Sequence, residues 1–405
     1  MSHDAGLFLY LCGMAGIYIH IPFCASKCAY CGFYSIPSQK LKSEFLEALK
    51  SEIVERKDYL HGESISTIYF GGGTPSLLSA EEISDLLMLI KDHYEIEANP
   101  EITLEANPDT LSIDYLSALR KLGINRLSIG IQSFFDNDLK YLSRRHNAEH
   151  ARQCIGWAKQ AGFDKLSLDL IYGLPTSDAD QWNRNLDIFF QTGAQHLSAY
   201  ALTLEPNSIL TKQIETGKAL PISDDDAVRD YEILCRRAKE NGFLHYEISN
   251  FCQPRHASRH NSSYWNRTPY AGFGPSAHSF DGESRQWNVS SVSQYIDSGK
   301  WKVESGRDVD SSRLSTQPHS QQITKEILTP EQAYDEYVML KLRTAWGIDL
   351  KYMKREMGER ISNYCEQKAQ PFVAQGKITQ TREFLHLNDE QMLFADGIAE
   401  ELFWE

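Results

Sequence analysis

Three cysteines in one short loop, set directly behind a strand-like run, constrain this chain more than any other feature. Residues 16–33 read GIYIHIPFCASKCAYCGF. Ile17, Ile19 and Ile21 alternate with Tyr18 and His20, the period of two that a strand imposes on side chains. Pro22 ends the run, because proline has no N–H to give to a ladder. Cys24, Cys28 and Cys31 follow with C-x3-C-x2-C spacing, and Tyr30 immediately precedes the third.

Three thiolates on one loop can hold three irons of a cubic [4Fe–4S] cluster, a cofactor whose usual ligand set is four cysteines. The fourth iron then keeps an open position. The amino and carboxylate groups of S-adenosylmethionine (SAM) suit that position as a chelate. The competing reading is a structural zinc loop. Zinc prefers four ligands, often from two CxxC half-sites, and the chain has no second half-site.

The 405 residues suffice for two or three domains. Hydrophobic and charged fractions of 41% and 24% are those of an ordinary globular chain. The net charge of −14 argues against a nucleic-acid groove, which needs a basic footprint. Outside the loop, Cys12, Cys154, Cys235, Cys252 and Cys365 are isolated, which fits reduced thiols in a cytoplasmic setting. The apolar stretch Leu7–Leu11 lacks the basic flank and cleavage site of a signal peptide. No segment reaches the roughly 18 apolar residues that a membrane span requires.

Strand-like and helix-like segments alternate from Gly16 to about residue 200, the pattern of βα units around a parallel sheet. Strands are expected at Gly16–Ile21, Thr67–Phe70, Glu101–Ala106, Arg126–Gly130, Lys165–Leu170 and His196–Tyr200. Helices are expected at Lys40–Lys57, Ala80–His93, Ile113–Lys121, Glu149–Gln160 and Asp178–Gln191. Ser79 with Glu82 forms a capping box, and Gly123, Gly162 and Gly193 mark C-terminal ends. Six such units make an α/β fold, a partial (β/α)6 barrel of TIM type, with its chemistry at the C-terminal strand ends. A further helix is expected at Asp224–Asn241 and a strand at His245–Phe251. Residues 252–290 read as an ordered aromatic-rich loop and Ser305–Gln322 as an exposed connector. Helical periodicity returns after Pro330, with Tyr334, Val338, Leu342 and Trp346 on one face. The expected organisation is an N-terminal extension (1–15), the barrel (16–240), an aromatic-rich extension (241–304), a connector (305–329) and a small, mostly helical, winged-helix-like domain (330–405).

Candidate site residues fall at strand ends. Gly71, Gly72 and Gly73, followed by Thr74, allow close backbone approach to a ligand. Glu105 ends the third strand and can accept from an ammonium group. Gln132 lies past the fourth strand and Arg144 beyond it. Asp169, flanked by Leu168 and Leu170, must face a polar cavity or pair with a cation such as Arg144. A second cluster is Arg259 to Trp265, RHNSSYW. A histidine amid aromatics suits an axial haem ligand or a satisfied packing residue. His256 and His278 are neighbouring competitors for a ligand role.

YIHIPFCASKCAYC, GGGTPS, the LEANP around Glu105, SIGIQSF, LDLIYGLP and HNSSYW together resemble the coproporphyrinogen III oxidase-like radical-SAM family, over nearly the whole chain from Gly16. Within it the chain resembles the HemW-type haem chaperones. The resemblance implies cluster ligation by Cys24, Cys28 and Cys31. It implies SAM contacts from Tyr18, Tyr30, Gly72, Gly73, Thr74, Glu105, Gln132, Arg144 and Asp169, and haem, as cargo, near His260. It implies a haem chaperone that delivers to haem-dependent respiratory clients, with no nucleic-acid partner. Peripheral membrane association through those clients and a homodimer remain open. The alternative is an oxygen-independent coproporphyrinogen III oxidase. That enzyme carries a further cysteine where this chain has Phe33, and a longer arm before the first strand.

Overall fold

Period-two alternation runs through every parallel strand and sets the architecture. The computed structural model describes residues 14–32, 34–206, 208–303 and 323–404. Residues 1–13, Phe33 and the connector Ser305–Gln322 therefore lie outside the described residues. Strands β1 (Met14–Ile21), β2 (Ser64–Gly72), β3 (Ile96–Ala106), β4 (Arg126–Gln132), β5 (Leu166–Tyr172) and β6 (His196–Ala201) lie side by side in chain order. Each is parallel to the next. Helices α1 (Lys42–Glu55), α2 (Ala80–His93), α3 (Ile113–Leu122), α4 (Asp136–Tyr141), α5 (Ala148–Gln160) and α6 (Ala179–Thr192) join them. The partial (β/α)6 barrel expected from the sequence is the fold observed.

Local signals set several of the helix ends. The Ser79 hydroxyl accepts from the Glu82 N–H at 3.2 Å, and the Glu82 carboxylate accepts from the Ser79 N–H at 2.7 Å. Helices α3 and α6 stop at Gly123 and Gly193, both left-handed. The two faces of the sheet differ sharply. One carries Ile17, Ile19, Ile68, Phe70, Leu104, Leu127, Ile129 and Leu168, all fully buried against the helices in the main core. Each such side chain contributes about 1.5–3 kcal/mol. The other face carries Tyr18, Thr67, Tyr69, Glu105, Ser128, Ser167, Asp169 and Ser198. Parallel sheets are ordinarily apolar on both faces, so this polar lining points to a ligand chamber.

Beyond β6 come α7 (Ile209–Glu215) and α8 (Asp224–Glu240), the latter capped by Ser223. The single strand expected at His245–Phe251 is instead a hairpin of β7 (Leu244–Glu247) and β8 (Asn250–Cys252), added antiparallel to β6. The region expected as loop is also more structured. It holds α9 (Arg259–Trp265) and strands β9 (Tyr270–Phe273), β10 (His278–Phe280) and β11 (Ser284–Asn288). β9 runs parallel to β1, and β10 and β11 continue the sheet outward. After α10 (Val292–Val303), the last part of the expected connector is strand β12 (Ile323–Ile327), paired with β11. The sheet stays open between its edge strands β12 and β7.

The C-terminal region comprises α11 (Pro330–Leu342), β13 (Ile348–Asp349), α12 (Leu350–Met357), α13 (Glu359–Ala374), β14 (Ile378–Gln380), β15 (Phe384–Leu387) and α14 (Ala395–Leu402). Tyr334, Val338 and Leu342 are buried on α11 as their spacing predicts, whereas Trp346 lies past its end. The short hairpin expected here is β14–β15. Among the described residues no helix is long and apolar enough to cross a membrane.

Candidate functional site

The cysteine loop leaves β1 at the C-terminal edge of the sheet and is fastened at its base. The Cys24 N–H donates to the Ile36 carbonyl at 3.1 Å, and the Ile36 N–H donates to the Pro22 carbonyl at 2.8 Å. The glycine loop after β2 lies against it. The Gly73 N–H donates to the Ile21 carbonyl at 2.8 Å. The Thr74 hydroxyl lies 3.5 Å from Cys24 Sγ. On the far side Arg144 NH1 lies 3.3 Å from Cys28 Sγ, and NH2 donates to Asn107 Oδ1 at 2.5 Å and to the Gly130 carbonyl at 2.9 Å. Asn107 Nδ2 in turn donates to Thr74 Oγ1 at 3.0 Å. Asn107 thus bridges the donors to two of the three sulfurs.

The donor set fits an iron–sulfur cluster. The three thiols are partly exposed. Among the described residues no three His, Cys, Asp or Glu side chains are gathered closely enough to hold a single ion. A cube of irons takes each thiolate at its own corner, and three thiols on one loop, with the Thr74 and Arg144 donors beside two of them, suit it. Burial pushes the isolated thiols Cys154, Cys235 and Cys252 up to about 12 and Cys365 up to about 11. Such protonated thiols are inert.

Below the loop, Glu105 accepts from the Tyr69 hydroxyl at 2.8 Å and from the Gly72 N–H at 3.1 Å. Tyr18 stacks on Tyr69, with centroids 6.1 Å apart, and its hydroxyl donates to His20 Nδ1 at 3.1 Å. The His20 tautomer follows, because its Nε2 must donate to the Tyr34 carbonyl. Tyr30 packs beside the small cluster of Ala29 and Leu142. Gln132 ends β4 at φ 67°, where β4 slips register against β5. A positive φ in a non-glycine residue is strained and concentrates at ligand sites. Asp169 accepts from the Ser128 hydroxyl at 3.1 Å. It faces the polar pocket rather than forming the ion pair with Arg144.

Glu105 and Asp169 line this pocket deep among protein atoms. Burial is the main reason both carboxyls are pushed up to about 7. A raised carboxyl adds stability that is full below its unfolded value and is lost as pH rises through its folded value. These two carboxyls are therefore expected to subtract stability from about pH 4 to about pH 8, against the gain that buried neutral histidines such as His20, His146 and His260 contribute as pH rises from about 4 to about 6.5. The melting-temperature difference between Glu105→Gln and the parent, which cancels the histidine contribution, is expected to shift in favour of the variant as pH rises across that range, and paired thermal melts read it directly.

His260 lies lower in the same chamber and is buried. Its Nδ1 is 2.8 Å from Thr67 Oγ1 and its Nε2 is 2.9 Å from the Tyr264 hydroxyl. It stacks on Tyr69 at 4.8 Å, and burial pushes it down to about 3. Both ring nitrogens are engaged, so metal ligation through Nε2 requires Tyr264 to move away. Sequence reading passed over Asn107, Tyr69, Thr67 and Arg126. The shared signal of Thr67, Tyr69 and Arg126 is the polar alternation within β2 and β4, and Asn107 continues that of β3 one residue past its end.

The Radical SAM superfamily profile matches residues 18–187, and the HemN C-terminal domain profile matches residues 328–394. A Mycobacterium tuberculosis protein named heme chaperone HemW is 31% identical over 391 residues, covering 96% of this chain and 94% of that one. A Bacillus subtilis protein of the same name is 32% identical over 389 residues, covering 95% and 98%. The structure of Escherichia coli coproporphyrinogen III oxidase (HemN) superposes with a TM-score of 0.79 over 96% of this chain and 90% of that one. Its 22% identity makes that a likeness of fold. The superfamily implies a [4Fe–4S] cluster and SAM. The chain belongs to the radical SAM superfamily, in the family whose members are named heme chaperone HemW.

Proposed function

We propose that this protein is a haem chaperone that carries a SAM-binding [4Fe–4S] cluster and hands haem to haem-dependent, respiratory client proteins. The observation that carries the reading is the near full-length similarity to proteins named for that role. Cys24, Cys28 and Cys31 hold the cluster in this reading, beside the Thr74 and Arg144 donors. Bound together, cluster and SAM would supply one-electron chemistry beside these residues. Gly72, Gly73 and Thr74 offer close backbone approach to the methionine end of SAM, and Glu105 accepts from its ammonium. Tyr18, Tyr30, Gln132, Arg144 and Asp169 line the remainder.

Haem is the cargo, and the segment from His260 to Trp265 is its proposed neighbourhood. Titration of the purified chain with haem, followed at the Soret band, is expected to saturate stoichiometrically. His260→Ala is expected to weaken it. Absence of saturable binding removes the chaperone reading, and unchanged binding by the variant removes His260 from it. The alternative, oxidative decarboxylation of coproporphyrinogen III, draws on the fold likeness alone. Protoporphyrinogen formed anaerobically with SAM and reductant would favour it.

A further inference from the structure

The polar chamber does not end at the cofactor face. It continues down the strands to their N-terminal ends, where it is lined by Thr103, Arg126, Ser128, Ser167 and Ser198, with Asn261 of α9 facing them. Arg126 begins β4 and Gln132 ends it. At about 3.3 Å per residue these positions stand roughly 20 Å apart, and Glu105 and Asp169 line the same pocket between them, so the floor lies beneath the SAM face and opens into it.

Arg126 is 3% exposed, yet poorly partnered. Among the described residues its guanidinium has one hydrogen bond, from NH1 to the His256 carbonyl at 3.5 Å, and no ion pair. A buried guanidinium normally finds an acceptor for several of its five donors. Thr103, its neighbour in register on β3, is fully buried with a hydroxyl that has no partner among the described residues. On the adjoining strands β5 and β6 the hydroxyls of Ser167 and Ser198 stand 3.2 Å apart, and Ser167 Oγ also lies 2.7 Å from His196 Nδ1. One cation, one unpartnered hydroxyl and a serine wall are the complement of a planar monoanion. A guanidinium fork matches a carboxylate in two parallel bonds. The carboxyls of Glu105 and Asp169 higher in the chamber disfavour a dianion such as phosphate.

We propose that the floor of the chamber binds one carboxylate group, held by Arg126 with the Thr103 hydroxyl and the serine wall. The source is either a free small carboxylic acid or a carboxylate arm of a larger ligand entering from above. The site does not depend on the chaperone reading, since its chemistry is local to β3–β6.

Calorimetric titration of the full chain with sodium propionate, in carboxylate-free buffer, is expected to show one saturable site. Arg126→Gln is expected to weaken it at least about tenfold, the scale of a hydrogen bond to a charged group. Thr103→Asp places a carboxylate beside the guanidinium and is expected to abolish the site while satisfying Arg126, so a folding defect in the first variant leaves the second decisive. Competition between propionate and haem, with weaker binding of haem dimethyl ester, assigns the carboxylate to the cargo. Saturable propionate binding without competition assigns it to a free acid. No propionate binding by the parent chain overturns the proposal, as does binding unchanged in Thr103→Asp.

Discussion

Glu52→Ala is expected to be the most destabilising single substitution in the barrel, at about 3–5 kcal/mol. Glu52 is 1% exposed and stands at the centre of four hydrogen bonds. Oε1 accepts from Arg56 NH1 at 2.9 Å and from Asn288 Nδ2 at 2.8 Å. Oε2 accepts from the Gly274 N–H at 2.9 Å and from the Tyr295 hydroxyl at 2.6 Å. Truncation leaves those donors without an acceptor and leaves Arg56 as a buried charge without its counterion. The melting temperature is expected to drop roughly 5–15 °C. Arg56→Ala alone should also destabilise, but the double variant should cost clearly less than the two singles summed, because it leaves no uncompensated charge. An additive cycle would show that the pair is not coupled. The network ties α1 to the segments around β9 and α10, and β9 is the outer neighbour of β1. Since β1 carries Tyr18 and feeds the cysteine loop, the same variant should loosen cluster retention.

The parts of the fold legible in the sequence are those whose stability is local or strictly periodic. The Ser79–Glu82 box and the glycines after α3 and α6 mark helix ends through backbone chemistry that neighbours in sequence supply. The six parallel strands announce themselves through Ile, Leu and Phe at every second position. What was not legible depends on partners far away in the chain. RHNSSYW has no helical apolar period, and Ser and Asn favour turns. It is helical because Ser258 caps it at 3.3 Å and because His260 and its N–H bind Thr67 and Glu101 on the sheet. The His245–Phe251 run reads as one strand-like piece, yet Ile248 and Ser249 form the turn of a hairpin.

The candidate site divides the same way. The cysteines, the glycine loop and Glu105 stand at predictable strand ends. Arg126 and Thr103 lie within strands whose apolar half alone identified them as strands. Their polar half was the signal for a chamber. The pairing of Asp169 with Ser128 instead of Arg144 depends on register, since Ser128 sits opposite Ser167, two residues below Asp169. Arg144 is held away by Asn107 and the Gly130 carbonyl.

Gly73→Ala is expected to cost the protein its cluster. A Cβ at this position would stand 2.7 Å from the Phe23 carbonyl oxygen and 3.0 Å from the Ile21 carbonyl oxygen, both backbone atoms. No rotamer change relieves a clash with backbone, so one of the two loops must shift. The glycine loop is anchored by the Gly72 N–H on Glu105 and the Gly73 N–H on Ile21. The cysteine loop is held at its base and again at Ala29, whose N–H donates to the Leu142 carbonyl at 3.4 Å and whose carbonyl accepts from the Leu210 N–H at 2.8 Å, so the shift falls on the stretch between these anchors that carries Cys24. Overpacking of this kind costs about 1–3 kcal/mol, well below the Glu52 variant, and the apo fold should survive with a modestly lower melting temperature. The larger effect is on geometry, because sulfurs that must reach separate corners of a rigid cube tolerate little displacement. Iron and sulfide analysis after anaerobic reconstitution is expected to fall to a small fraction of the parent content. Gly62→Ala, with nothing within 4 Å of the added Cβ but a positive φ of 79°, serves as a control. It carries backbone strain without touching the loops, so it should lose stability and keep its iron. Full iron content in Gly73→Ala would show that the contact between the two loops does not set the position of the cysteines.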